Sequence, residues 1–191
     1  MLSALPHPTL KIVRERCGAL DAFPSIATVP PPVHTATSVH ICAPREEIFA
    51  LVSDLTRWPD LLPHYRWVKI LGHEQGRQIV HMSARRTGIP ISWVSAYEAH
   101  AQDLELRFEH REAWTKGMRV IWTLTPTRDG TRVEIVHDLT FRVKGLGWFV
   151  EPIIGGFFIG NIAQKTLNTF KRILEEGAAK TGSKKETEVK H

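Results

Sequence analysis

From Tyr65 to Phe141 the chain alternates apolar and polar residues in strand-length pieces, and nearly every piece ends at a turn signal. The signals are Gln75-Gly76, Thr87-Gly88-Ile89-Pro90, Gln102-Asp103 and Asp129-Gly130. Side chains alternate across a strand, so this period of two leaves little room for anything but consecutive antiparallel strands, expected at about 65–74, 77–86, 89–101, 104–111, 116–126 and 131–143. Asp129-Gly130 reads as a type I′ hairpin turn, in which both central residues need positive φ. From about Leu146 the period changes. Ile162, Leu167, Phe170, Ile173 and Leu174 lie on one face of a helix expected to end near Gly177, with its first half weakened by Gly155, Gly156 and Gly160.

Ahead of the strand series stands "HTATSVHIC", another alternating strand, then "APREEIFALVSD", a short helix with Pro44 as its first residue and Ile48, Leu51 and Val52 as its buried stripe. Strand, short helix, about six strands and a long helix make an α+β architecture: a curved antiparallel sheet of about seven strands whose concave face one C-terminal helix covers. The space between sheet and helix is either core or cavity.

Parity sorts the inner face. Met118, Val120, Trp122 and Leu124 share it on one strand, and Val133, Ile135, His137, Leu139 and Phe141 on the next. Leu104, Leu106, Phe108 and His110 face the same way, as do Ile91, Trp93, Ser95 and Tyr97. Apolar walls with a few polar groups describe a small-molecule pocket, and they equally describe a core with satisfied polar groups. On the pocket reading, Ser95, Tyr97, His110 and His137 are the polar contacts. His137 sits mid-strand and is expected to be neutral, paired with Tyr97 or with the ligand. His137, Tyr97 and Ser95 are also the candidate catalytic groups. The corner "RWPDLLPHYRWVKIL" (Arg57 to Leu71) adds an aromatic cluster that is either packed or the lip of the cavity.

Other functions find little support. The +5 formal charge is partly a tail property, since the segments before His34 and after Gly177 carry +1 and +2 of it. That weakens a nucleic-acid reading. Two distant cysteines, Cys17 and Cys42, argue against a disulfide framework or zinc site and fit a reducing cytoplasm. The ten histidines are scattered, so no metal site is expected, and no P-loop, GxSxG or HExxH occurs. "GLGWFV" lacks the third glycine and the βαβ context of a dinucleotide site, so no cofactor is expected. No signal peptide or transmembrane span is read. The apolar stretch Trp148 to Ala163 is too short to span, though it suits a transient, peripheral membrane contact. Arg85 and Arg86 of "SARR" are candidates to meet an anionic ligand or an acyl-carrier group. Residues 1–33, proline-rich and ending in Pro30-Pro31-Pro32, read as a flexible extension, 34–177 as the ligand-binding domain, and 178–191 as a disordered polar tail.

The order and spacing of "APREEIFALVSDLTRWPDLLPHYRWVKIL", "ISWVSAY", "GMRVIWTLTPTRDGTRVEIVHDL" and "IAQKTLNTFKRILEE" resemble the START-like superfamily of helix-grip proteins. Within it, the polyketide cyclase/dehydrase and coenzyme Q-binding branch is most similar, over about Val33 to Glu176. The resemblance implies a deep cavity under the long helix holding a hydrophobic molecule: a lipid, an isoprenoid quinone or a polyketide-like compound. The expected ligand contacts are Trp58, Leu62, Tyr65, Trp93, Tyr97, Phe108, His110, Met118, Trp122, Ile135, His137 and Phe157, with Trp58, Leu61, Leu62 and Tyr65 at the mouth. Cyclase or dehydratase chemistry on a poly-β-keto chain is the alternative to simple binding. In aromatase/cyclase members the strand resembling "ISWVSAY" carries an inward arginine important for ring closure. Tyr97 stands at that position here, which favours binding, or a different cyclase chemistry.

Overall fold

The structure is a computed structural model that describes residues 33–112, 115–139 and 160–188. Seven strands form one antiparallel sheet: β1 (Val33–Ile41), β2 (Tyr65–Glu74), β3 (Arg77–Arg86), β4 (Ile89–His100), β5 (Glu105–His110), β6 (Arg119–Thr127) and β7 (Gly130–Leu139). Their spatial order is β1-β7-β6-β5-β4-β3-β2. β2 to β7 are a simple meander, while β1 crosses to the far edge and pairs with β7 from Val33↔Leu139 to Ile41↔Thr131. The helix-grip expectation and the period-two reading are both met. The inner parity of β6 and β7 buries Val120, Trp122 and Leu124 with Val133, Ile135, His137 and Leu139.

The crossover carries α1 (Arg45–Val52), a 3₁₀ turn (Leu55–Arg57) and the four-residue α2 (Trp58–Leu61). Pro44 is the residue capping α1 rather than its first helical residue, because its ψ of 144° is extended. Glu46 and Glu47 occupy the first turn, where the helix dipole favours them, and Ile48 and Val52 are buried. Pro59 opens α2.

The long helix α3 (Gly160–Glu188) presents Ala163, Leu167, Phe170 and Leu174 to the core at helical spacing. The expected helical start at Leu146 lies outside the described residues. At the other end the backbone continues as helix beyond Gly177, where a disordered tail was expected. Ala, Lys and Glu dominate that stretch, and these are good helix formers. Lys171 ties α3 to β1. Its Nζ donates to the carbonyl of His40 (2.7 Å) and to Glu175 Oε1 (2.6 Å), and the same oxygen accepts from the Cys42 amide (3.1 Å).

The β6–β7 hairpin departs from the expected type I′ turn. Its connection is Arg128-Asp129, with Thr127 paired to Gly130, and Asp129 does not have positive φ. Gly130 serves another purpose. A Cβ there would lie within 2.2 Å of the Ile41 carbonyl oxygen, so the end of β1 crosses where only glycine leaves room.

Candidate functional site

The corner that opens α2 and β2 builds one wall of the space under α3. Trp58 is almost wholly buried, and its indole N–H donates to the Val52 carbonyl at 3.0 Å. Its ring meets Tyr65 edge-on (5.1 Å between centroids), Trp122 (5.6 Å), Phe170 (5.9 Å) and Phe108 (6.3 Å). This is a packed aromatic floor. The expectation that Trp58, Leu61, Leu62 and Tyr65 form a mouth does not describe it. Leu62 is fully buried and does not line the cavity, because the bend after α2 turns it into the core.

Above this floor lies a cavity of about 270 Å³. The sheet contributes Phe108, Val120, Trp122, Ile135 and Met82, and α3 contributes Ile162, Ala163 and Thr166. Further along the sheet come Trp93, Ile91, Ser92, His110 and His137, with Thr115 and Met118 from the β5–β6 connection. Of the expected contacts, Trp58, Tyr65, Trp93, Phe108, His110, Met118, Trp122, Ile135 and His137 therefore share one space. Phe157 lies outside the described residues.

Two of the three catalytic candidates stand apart from this space. Tyr97 has the expected inner parity and is buried, but it does not line the cavity. Its hydroxyl donates to the Ser53 carbonyl at 2.8 Å, satisfying the last turn of α1. It is accordingly not the partner of His137. Burial and the nearby Asp54 charge push its phenol pKa up. Ser95 lies opposite His110 in the ladder, fully buried, with its Oγ unpartnered among the described residues, and it too is absent from the cavity wall.

The imidazoles are the polar chemistry of the cavity. His110 Nδ1 hydrogen-bonds with Thr115 Oγ1 at 2.9 Å, and its ring stacks on Trp93, 6.1 Å between centroids and 9° between planes. Burial holds its pKa down at about 4. His137, two strands away and paired with Val120, has its buried Nδ1 without a hydrogen-bond partner among the described residues. Burial, and secondarily repulsion from His110, lower its pKa to about 3. Both rings are neutral at pH 7, as expected for His137. At the opposite wall, Thr166 Oγ1 hydrogen-bonds with His64 Nε2 at 2.9 Å.

Sequence reasoning missed Thr166 and Thr115. Thr166 carried a signal, being a polar residue between Ala163 and Phe170 on the apolar stripe of α3. Thr115 carried none, since it lies in the β5–β6 connection. Among the described residues no group of three or more His, Cys, Asp or Glu is placed to hold a metal ion, and no helix is long and apolar enough to cross a membrane.

Comparison with known proteins gives a consistent picture. The family model described as polyketide cyclase / dehydrase and lipid transport matches residues 41–171. A candidate polyketide cyclase of Streptomyces cyaneus is 28% identical over 112 residues, covering 57% of this chain and 74% of that protein. An aromatase/cyclase from Streptomyces sp. R1128 superposes with a TM-score of 0.66 at 18% identity, covering 76% of this chain and 94% of that one. A START superfamily protein from Mycobacterium smegmatis gives a TM-score of 0.58 at 16% identity, over 75% of this chain and 97% of that one.

Proposed function

Because the chain belongs to the polyketide cyclase/dehydrase and lipid-transport family, we propose that its cavity binds a hydrophobic molecule bearing hydrogen-bonding oxygens, of the polyketide or quinone kind. The observation that carries this reading is His137: a neutral imidazole in an apolar wall with its buried Nδ1 unsatisfied among the described residues. Leaving such a group unmet costs about 1–3 kcal/mol, and a ligand oxygen or hydroxyl removes that cost. The aromatic and aliphatic walls supply affinity through apolar burial, at roughly 25 cal/mol per Å². His110 is a second polar contact, already oriented by Thr115 and Trp93. Mass spectrometry of protein extracted natively from its own cells tests this. An oxygenated apolar molecule retained in the native complex and released on unfolding supports it. A molecule without oxygen, or none at any loading, contradicts it.

A second reading is supported by the polyketide cyclase likeness: ring closure or dehydration of a poly-β-keto chain in the same cavity. Aldol closure needs a base at an acidic carbon and a donor at the developing oxyanion. With pKa values of about 3 and 4, His137 and His110 are poor bases. A neutral imidazole N–H remains a competent oxyanion donor. In this reading the histidines polarise a ligand carbonyl, and Tyr97 and Ser95 take no part. Turnover of a poly-β-keto thioester analogue by the purified protein separates the readings, because a carrier binds it unchanged.

A further inference from the structure

Outside the cavity, a crevice of about 610 Å³ opens between α3, the α2–β2 corner and the β3–β4 turn. Its wall includes Arg85 from the end of β3, Lys165 and Arg172 from α3, two helical turns apart, and His64, with no acidic residue. Several cations elsewhere pair with carboxylates, as Arg77 does with Glu109, Arg107 with Glu105, Arg132 with Glu134 and Lys171 with Glu175, while others such as Arg66 and Arg119 stand singly on the surface. The side chains of Arg85, Lys165 and Arg172 have no such partner among the described residues. Three unpaired cations from two separate elements converging on one concavity is an arrangement that like-charge repulsion opposes, unless an anion joins them.

Thr87 (φ +48°) and Gly88 (φ +86°) at the rim are the two central residues of the β3–β4 hairpin, with positive φ at both as a type I′ turn requires. His64 adds no charge of its own, since burial, with Lys165 second, holds its pKa at about 4. It instead bonds Thr166, which lines the cavity, so crevice and cavity share one wall.

We propose that this crevice is a binding site for a phosphate group, a mono- or diester carried on a small or flexible molecule. Two guanidinium forks and an ammonium suit phosphate oxygens through short, charge-assisted hydrogen bonds. A concave site fits a phosphate ester on a narrow chain better than a flat membrane surface. The shared wall would let one amphiphile place its apolar body in the cavity and its phosphate here.

Titration of the full chain with phenyl phosphate at constant ionic strength, followed by amide chemical shifts, tests the proposal without reference to whatever the cavity holds. Saturable shifts centred on Arg85, Gly88 and Lys165 are expected. Affinity should fall about tenfold in Arg85→Gln and again in Arg172→Gln, and stay unchanged in Arg119→Gln, an exposed cation on the outer face of β6. Because both glutamine variants change exposed side chains, folding is expected to be intact, and the wild-type amide pattern checks it. Shifts that never saturate, or equal affinity in all variants, would overturn the site and leave a solvated basic face. Binding to vesicles of one-quarter phosphatidylglycerol that the two variants lose, with no saturable phenyl phosphate binding, would overturn it in favour of a membrane-facing patch.

Discussion

At the Trp58 corner, the rings of Tyr65, Phe108, Trp122 and Phe170 close on a single indole whose N–H is already satisfied. Around His137, the same sheet face leaves an imidazole without a partner and a space of about 270 Å³ beside it. Both neighbourhoods are rich in large apolar side chains, so composition does not separate them. What differs is what arrives from outside the sheet. The corner receives α2 and the Phe170 turn of α3, which fill it. Over the cavity α3 contributes Ile162 and the smaller Ala163 and Thr166 among the described residues, and these leave the space unfilled. The first region holds the fold together, and the second is where the fold leaves binding energy for a ligand.

Truncation should expose that division most strongly. Trp58→Ala removes four ring contacts and an indole hydrogen bond and should cost about 3–5 kcal/mol in urea unfolding. Trp93→Ala, half-buried at the cavity wall, should cost about 1 kcal/mol while weakening ligand binding. Equal losses in the two variants would erase the distinction between floor and site.

Acid should act on the site end first. The folded pKa values of His110 and His137 lie below the ordinary 6.5, so below that pH the unfolded chain binds protons that the native one refuses. Stability is therefore flat above about pH 6.5 and falls as pH drops toward 4. The slope approaches about 2.5–3 kcal/mol per pH unit for the pair. Replacing both with leucine should remove most of this slope in urea titrations across pH 4–7, leaving the part that the half-buried His64 contributes. A slope unchanged by that replacement would show that other groups control acid sensitivity.

The smallest effect should come from Tyr97→Phe. Losing the bond to the Ser53 carbonyl should cost about 0.5–1.5 kcal/mol of stability and leave ligand affinity unaltered, since that hydroxyl belongs to the α1 end. A loss of affinity with unchanged stability would return Tyr97 to the site.

How far the sequence disclosed this molecule depended on the range of the interaction. Period two placed Val120, Trp122, Ile135 and His137 on one face because alternation is local, and the element order followed from turn signals that are also local. The fate of Tyr97 was not local. Its parity was right, yet the acceptor that claims its hydroxyl is a carbonyl at the end of α1, far off in sequence. The corner misled for a related reason: dense aromatics read equally as lip or floor until Phe170 arrives from α3. Gly130 was read as a central turn residue, yet it is the first residue of β7, and what demands glycine there is the crossing strand end at Ile41. Arg85, Lys165 and Arg172 were each visible, and nothing in the sequence said that they meet.

The central claim is that His137 meets the ligand. Isothermal titration of the extracted native ligand into wild-type protein and His137→Leu, with urea unfolding of both, tests it most directly. Affinity weaker by roughly 1–3 kcal/mol is expected in the variant, with stability unchanged or higher because an unmet imidazole has been replaced by an apolar side chain. Unchanged affinity would contradict it and make His137 a residue of the core.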